Sequence, residues 1–86
     1  MDSIENNRKK LDELDDVIIA KLIERFEVSK EIGRIKKQQN IEVFQPDREK
    51  AIFESIKSRC KGYEDVDAVI KIYNAIMNES KALQIY

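Results

Sequence analysis

The first 45 residues contain no proline, and this feature restricts the fold more than any other. Apolar side chains recur with helical spacing over residues 4–38, directly after Ser3, which is suited to cap a helix. The pattern predicts one helix of roughly 50 Å. A compact chain of this length has a radius of gyration of only about 12 Å, so the helix should project and need cover. A second copy of the chain is the simplest cover.

Two shorter helices are expected to follow. Residues 37–45 lose the helical period and are expected to form a loop. Pro46 suits the first position of a second helix, which should run to about residue 60 with Gly62 as its C-terminal cap. Asp65 can cap a third helix. The sequence therefore predicts an all-α fold in which one domain, residues 1–86, has three helices at about 4–38, 46–60 and 65–85.

The composition excludes several classes of function. Lys and Arg number 16 against 17 Asp and Glu, so neither nucleic acid nor an anionic membrane is an expected partner. The chain has no His and a single Cys, Cys60, so we expect no metal site, no Ser-His or Cys-His catalytic pair and no internal disulfide. The longest apolar run, Val17–Ala20, is too short to span a bilayer, and no signal-peptide pattern begins the chain. We therefore expect a cytoplasmic protein.

The apolar face of the first helix carries polar and ionic side chains. On a helical wheel, its apolar residues fall in one wedge of roughly 140°; they are Ile4, Leu11, Leu14, Ile18, Leu22, Phe26 and Ile32. Six other residues share the wedge: Arg8, Asp15, Arg25, Ser29, Lys36 and Gly33, of which the glycine would allow a close helix approach. Buried cations need an anionic partner. At the wedge margin, a core salt bridge or a side chain reaching the solvent explains Arg8 and Asp15 as well as a ligand does. Near its middle, Arg25 and Lys36 favour an anionic ligand.

The other two helices show related exceptions. The third helix has a predicted buried face of Val66, Val69, Ile70, Tyr73, Ile76, Met77 and Leu83. Ser80 and Gln84 lie inside that face, and in the second helix Arg48 and Glu49 flank the apolar line Ile52, Ile56 and Cys60. Each polar residue alone could be a satisfied core residue, or an exposed one in the first turn. Ser80 and Gln84 together, opposite unpaired cations, favour a polar ligand.

Helix geometry limits which cations can meet. Arg25 and Lys36 are separated by about 16 Å along the axis, so two long side chains could close on a small molecule between them. Arg8 lies about 25 Å from Arg25 on the same rod. It cannot join that site within one chain, but an antiparallel partner helix could bring it there.

These spacings resemble the all-helical class of chorismate mutases over essentially the whole chain. The resemblance is carried by four pieces: Arg8-x6-Asp15-x9-Arg25-x10-Lys36, LDELDDVIIAKLIERFEVSKEIGRIK (11–36), PDRE (46–49) and NESKALQ (78–84). Each piece alone is weak, but four in order and register are specific. The resemblance implies a homodimer of three-helix chains with intertwined first helices and two equivalent sites.

The resemblance also implies an activity and residue roles. Arg25 and Arg8 of the partner subunit would hold the two carboxylates of chorismate. Lys36 and Gln84 would face the ether oxygen, and Glu49 would take the ring hydroxyl. Two further residues, Ser80 and Arg48, would complete the site. The implied reaction is the Claisen rearrangement of chorismate to prephenate, in Phe and Tyr biosynthesis, without a metal or cofactor.

One position departs from the family pattern. The family usually has Asp three residues before the Arg of the second helix, and this chain has Gln45. Gln is a poor N-cap, so we expect a looser helix start and weaker substrate binding before lost activity. Gln45 can still reach the ring hydroxyl. The preceding Val43 and Phe44 are expected to form an apolar cover.

Two other functions remain open at this point. An isochorismate pyruvate-lyase of the same architecture would use nearly the same ligands, and the sequence separates the two poorly. A non-catalytic helical dimerisation or regulatory module would carry a degenerate pocket. Arg8, Arg25, Lys36, Glu49 and Gln84 argue against such a module, because a pure coiled-coil seam would favour Leu or Ile.

Overall fold

The computed structural model describes residues 3–85, and every regular element in that range is a helix. Helix α1 spans Ile4–Gln39, α2 spans Pro46–Arg59 and α3 spans Val66–Gln84. The prediction of three helices without strands is confirmed for this part of the chain. The helix ends differ from the predicted ones by a residue at most.

Both ends of α1 are closed by recognisable caps. The Ser3 hydroxyl accepts a hydrogen bond from the Asn6 N–H at 3.0 Å, so the predicted N-cap is confirmed. At the other end Asn40 adopts φ 55°, and the Ile41 N–H donates to the Lys36 carbonyl at 2.8 Å. This is a Schellman motif, in which asparagine tolerates the left-handed conformation. The loop is therefore 40–45, and its predicted start at residue 37 is wrong.

The ends of α2 and α3 match the predictions only in part. Pro46 is the first residue of α2, as predicted. Gly62, with φ 88°, lies beyond the C-cap residue Cys60, in a turn closed by the Tyr63 N–H and the Cys60 carbonyl at 2.9 Å. Its positive φ serves that turn, so its assignment as a helix cap is wrong. Asp65 precedes α3 but its side chain makes no capping hydrogen bond, and its backbone is not extended.

Helix α3 is the centre of the packing. It packs against both α1 and α2, whereas within residues 3–85 the backbones of α1 and α2 stay apart. All seven residues of its predicted apolar face are buried or half-buried, which confirms that face. Gly33 meets α3 so closely that a Cβ there would lie 2.8 Å from the Gln84 Cα. The predicted close approach at Gly33 is thus confirmed, and it fixes the distance between the ends of α1 and α3.

The N-terminal half of α1 projects from the other helices. The chain measures 58 × 26 × 15 Å, and its radius of gyration of 16.3 Å exceeds the roughly 12 Å of a compact chain. Residues 3–21 are all exposed, including Leu11, Leu14 and Ile18, each more than half exposed. The predicted projection is confirmed. Of the apolar residues of the wedge, only Leu22 and Phe26 are half-buried within one chain and the others are exposed, whereas Ser29 and Gly33 of the same wedge are buried.

None of the helices in the described part of the chain combines the length and the hydropathy that crossing a membrane requires. Even the longest, α1, carries charged residues along its whole length. The cytoplasmic location stays a prediction.

Candidate active site

A cavity of about 380 Å³ lies where the three helices converge, in the size range of small-molecule sites. Its wall takes residues from α1, the following loop, α2 and α3: Arg25, Val28, Ser29, Ile32, Lys36, Val43, Gln45, Arg48, Glu49, Ile52, Met77, Ser80, Lys81 and Gln84. Every residue predicted for the site lies in this wall except Arg8. The separation of α1 from α2 leaves the room that the cavity occupies.

Arg25 is held in the cavity by α3. Its Nη1 donates to the Ser80 hydroxyl at 2.8 Å, and its Nη2 lies 3.5 Å from the Met77 sulfur. Ser80 is only 4% exposed, and its hydroxyl donates in turn to the Ile76 carbonyl at 2.7 Å. This relay fixes the direction of the guanidinium. A guanidinium has five N–H donors, so further donors stay available to an anion.

Lys36 brings together α1, the loop and α3. Its ammonium donates to the Gln84 Oε1 at 2.8 Å and to the Val43 carbonyl at 2.8 Å. Burial lowers the pKa of Lys36 below its usual value, because the charged form loses hydration. A positive charge with reduced hydration acts more strongly on a bound ligand than an exposed one.

The Glu49 carboxylate pairs with a residue that the sequence analysis missed. The Lys81 ammonium lies 3.1 Å from the Glu49 Oε2 and 4.8 Å from the centroid of the Phe44 ring. Lys81 stands three residues before Gln84, so the two share one side of α3, which was the available signal. Its partner is on another helix, which helical periodicity cannot reveal.

The start of α2 carries Gln45, Arg48 and Glu49 into the cavity wall. Gln45 occupies the N-cap position with an extended backbone and no side-chain capping bond, so the expected poor cap is confirmed. Its carbonyl accepts the N–H groups of Arg48 at 3.1 Å and Glu49 at 3.2 Å. Of the two residues predicted as an apolar cover, Val43 lines the cavity whereas Phe44 is 55% exposed.

Arg8 lies far from the cavity of its own chain. It is exposed on the projecting half of α1, about 25 Å along the axis from Arg25. Asp15 is exposed on the same half, so neither residue belongs to a core of the single chain. A core salt bridge within one chain therefore does not account for them.

The charges of the wall suit an anion. Four cations, Arg25, Lys36, Arg48 and Lys81, face one carboxylate, Glu49, in the part of the wall that the structure describes. With Glu49 paired to Lys81, three cations remain to compensate a ligand. The chain contains no histidine, and the lining offers charge and hydrogen bonds beside the apolar side chains of Val28, Ile32 and Ile52. Such a site can orient a small anionic molecule and stabilise negative charge that develops within it.

Comparisons with known proteins agree with this geometry. The chorismate mutase type II family matches residues 7–85. The chain is 38% identical over 78 residues to a chorismate mutase of Methanocaldococcus jannaschii, covering 90% of this chain and 79% of that protein. It is 33% identical over 88 residues to a bifunctional chorismate mutase/prephenate dehydratase of Aquifex aeolicus, covering 98% of this chain and 24% of that longer protein. No solved structure gives a significant match. The extent of these matches shows that the chain belongs to the chorismate mutase type II family.

Proposed function

We propose that the cavity binds chorismate and catalyses its intramolecular rearrangement to prephenate. Membership in the chorismate mutase type II family and the 38% identical chorismate mutase support this activity. One observation carries its assignment to the cavity: Arg25, Lys36 and Gln84 converge there from α1 and α3 and are already joined to neighbours by hydrogen bonds. The chain is accordingly an isomerase.

Seven polar residues of the wall have a proposed role. Arg25, directed by Ser80, holds one substrate carboxylate. Lys36 and Gln84 meet the ether oxygen of the bond that breaks. Glu49 accepts a hydrogen bond from the ring hydroxyl. Arg48 and Gln45, at the start of α2, complete the binding site.

The reaction needs binding and charge rather than proton transfer. The ether C–O bond breaks while a new C–C bond forms within the same molecule, so no group enters or leaves. Holding the compact chair-like conformer by its carboxylates supplies most of the required order. The Lys36 ammonium and the Gln84 amide stabilise the negative charge that develops on the ether oxygen. These contacts raise kcat only to the extent that they stabilise the transition state more than the bound substrate.

The proposed active unit is a homodimer whose α1 helices lie antiparallel and intertwine. Two observations support it. The projecting half of α1 leaves Leu11, Leu14 and Ile18 exposed on one face, and a helix of this kind gains stability by packing rather than from propensity. Arg8 lies on that half, and a two-fold pairing would bring Arg8 of the partner subunit to the cavity near Arg25.

Catalytic activity should vary little between about pH 6 and 8, because the chain has no histidine to titrate there. At higher pH, kcat/KM should fall as Lys36 loses its proton, at a pH below that of an ordinary lysine, since burial lowers its pKa. A bound dianion favours the charged ammonium, so kcat should fall at a higher pH than kcat/KM. Profiles of both constants from about pH 6 to 10 check this. A steep change inside the flat range would contradict catalysis by fixed charges.

The substitution Gln45→Asp should raise the melting temperature, lower KM, or do both. An aspartate at this N-cap can accept a backbone N–H that Gln45 leaves without a side-chain partner, a gain of about 1 kcal/mol. Gln45→Asn is the matched control, because it caps equally well without adding charge. Thermal unfolding and steady-state kinetics of the three proteins give the answer. If the Asp variant has neither a higher melting temperature nor a lower KM, Gln45 serves another purpose.

The proposed function is tested by assaying the purified chain with chorismate and, in parallel, with isochorismate. We expect loss of chorismate absorbance with formation of prephenate, and no release of pyruvate from isochorismate at a comparable rate. Pyruvate release without prephenate would assign the chain to a lyase instead. A folded protein that converts neither substrate would favour a non-catalytic helical module.

A further inference from the structure

We infer that Lys81 is a positioning residue, which holds the Glu49 carboxylate in the cavity wall and the Phe44 ring beside it, and thereby sets recognition of the substrate's ring hydroxyl. The inference rests on the proposed function, because it assigns that hydroxyl to Glu49. Three observations carry it: an ion pair between two helices, a cation–π contact with the loop, and the charges of the wall.

The Lys81–Glu49 pair differs from the ion pairs along α1. It joins α3 to α2, with side chains only 29% and 20% exposed. Lys21–Glu24, by comparison, lies within one turn of α1 with side chains 73% and 65% exposed. Exposed pairs contribute little, because water and salt screen them. A pair withdrawn from solvent can hold its carboxylate in one place.

The loop between α1 and α2 is fixed to the site at two points. The Val43 carbonyl accepts from Lys36 at 2.8 Å, and the Phe44 ring lies 4.8 Å below the Lys81 ammonium. A cation over an aromatic face attracts it. Phe44 is 55% exposed and does not line the cavity, so its contact with Lys81 links it to a residue of the cavity wall.

Glu49 has two reasons to need such a partner. It is the one carboxylate in the described part of the wall, so it would repel an anionic substrate if its charge were not compensated. Its side chain would also lose rotamer freedom on binding the hydroxyl, unless that freedom is already lost in the free enzyme. Lys81 meets both needs at once.

The test uses Lys81→Met, Lys81→Arg, Glu49→Gln and the Lys81→Met/Glu49→Gln double variant. Lys71→Met is the matched control, because Lys71 is an exposed lysine of the same helix away from the cavity. Kinetics are measured with chorismate, and inhibition with a chorismate analogue that lacks the ring hydroxyl. Thermal unfolding is measured for every protein.

Lys81→Met should raise KM for chorismate about three- to tenfold, with a smaller loss of kcat. It should weaken the analogue as well, because an uncompensated Glu49 repels both anions, but by a smaller factor, so that discrimination in favour of the hydroxyl falls. Lys81→Arg should recover most of the lost affinity. In the Glu49→Gln background, Lys81→Met should raise KM little further. Lys71→Met should behave like the wild type.

Unchanged hydroxyl discrimination in Lys81→Met would overturn the inference. So would an equal rise in KM when Lys81→Met is made in the wild type and in the Glu49→Gln variant. A merely structural lysine would weaken chorismate and the analogue alike. The proposed function fails separately, if the wild type does not convert chorismate. Even then, the contact is tested by the melting temperatures of the wild type, Lys81→Met, Glu49→Gln and the double variant. Additive effects of the two substitutions would show that Lys81 does not hold Glu49.

Discussion

Replacing Lys36 by alanine should lower kcat by about 100-fold or more while the protein stays folded. The ammonium is already fixed by the Gln84 Oε1 and the Val43 carbonyl, so its direction requires no reorganisation when substrate binds. Its reduced hydration should strengthen its proposed action on the breaking ether bond. Steady-state kinetics with chorismate measure the loss, and far-UV circular dichroism checks that the helices remain.

The neighbouring Lys37 supplies the control for this loss. It lies in the same last turn of α1 but is exposed and outside the cavity wall, so Lys37→Ala should keep kcat. Lys36→Arg should be intermediate, since a planar guanidinium keeps the charge but changes its geometry. Near-normal kcat in a folded Lys36→Ala protein would remove Lys36 from the ether oxygen and leave its role to packing.

The sequence predicted the helices because the relevant signals are local. Ser3 caps α1 and Pro46 begins α2, as their residue types favour. The same reasoning failed at Asn40, where a left-handed asparagine ends α1 later than the apolar period suggested. It also failed at Asp65, because a capping residue type does not guarantee the backbone conformation that capping needs.

The candidate site could largely be predicted because polar residues on apolar faces stand out. Arg25, Lys36, Ser80 and Gln84 lie on the facing sides of α1 and α3, and close packing at Gly33 brings those sides together. Lys81 could not be found in this way. Its importance comes from Glu49 on another helix, and that pairing depends on how α2 is oriented against α3.

The second large effect concerns Arg8, whose proposed place in the site would require a second chain. Arg8→Ala and Arg25→Ala should each be nearly inactive alone. When equal amounts are unfolded together and refolded, about half of the dimers should be mixed. In a mixed dimer one site carries both lesions, and the other joins an intact Arg25 to an intact Arg8 of the partner subunit. Activity should therefore recover to roughly a quarter of wild type.

A second mixture distinguishes shared sites from sites inside single chains without relying on recovered activity. Here wild type is refolded with equal amounts of a double variant that carries both substitutions in one chain. With shared sites, every site of a mixed dimer has one lesion, so only the wild-type homodimers work and roughly a quarter of full activity remains. With sites inside single chains, each wild-type chain would keep its own site, and about half would remain.

The most direct measurement is the rate of chorismate turnover by the refolded mixture of Arg8→Ala and Arg25→Ala, with heterodimer content determined by native mass spectrometry. The shared site predicts roughly a quarter of the wild-type rate where half of the dimers are mixed. A mixture that contains heterodimers yet is no more active than its parents would contradict the shared site, and with it the catalytic purpose assigned to the projecting half of α1.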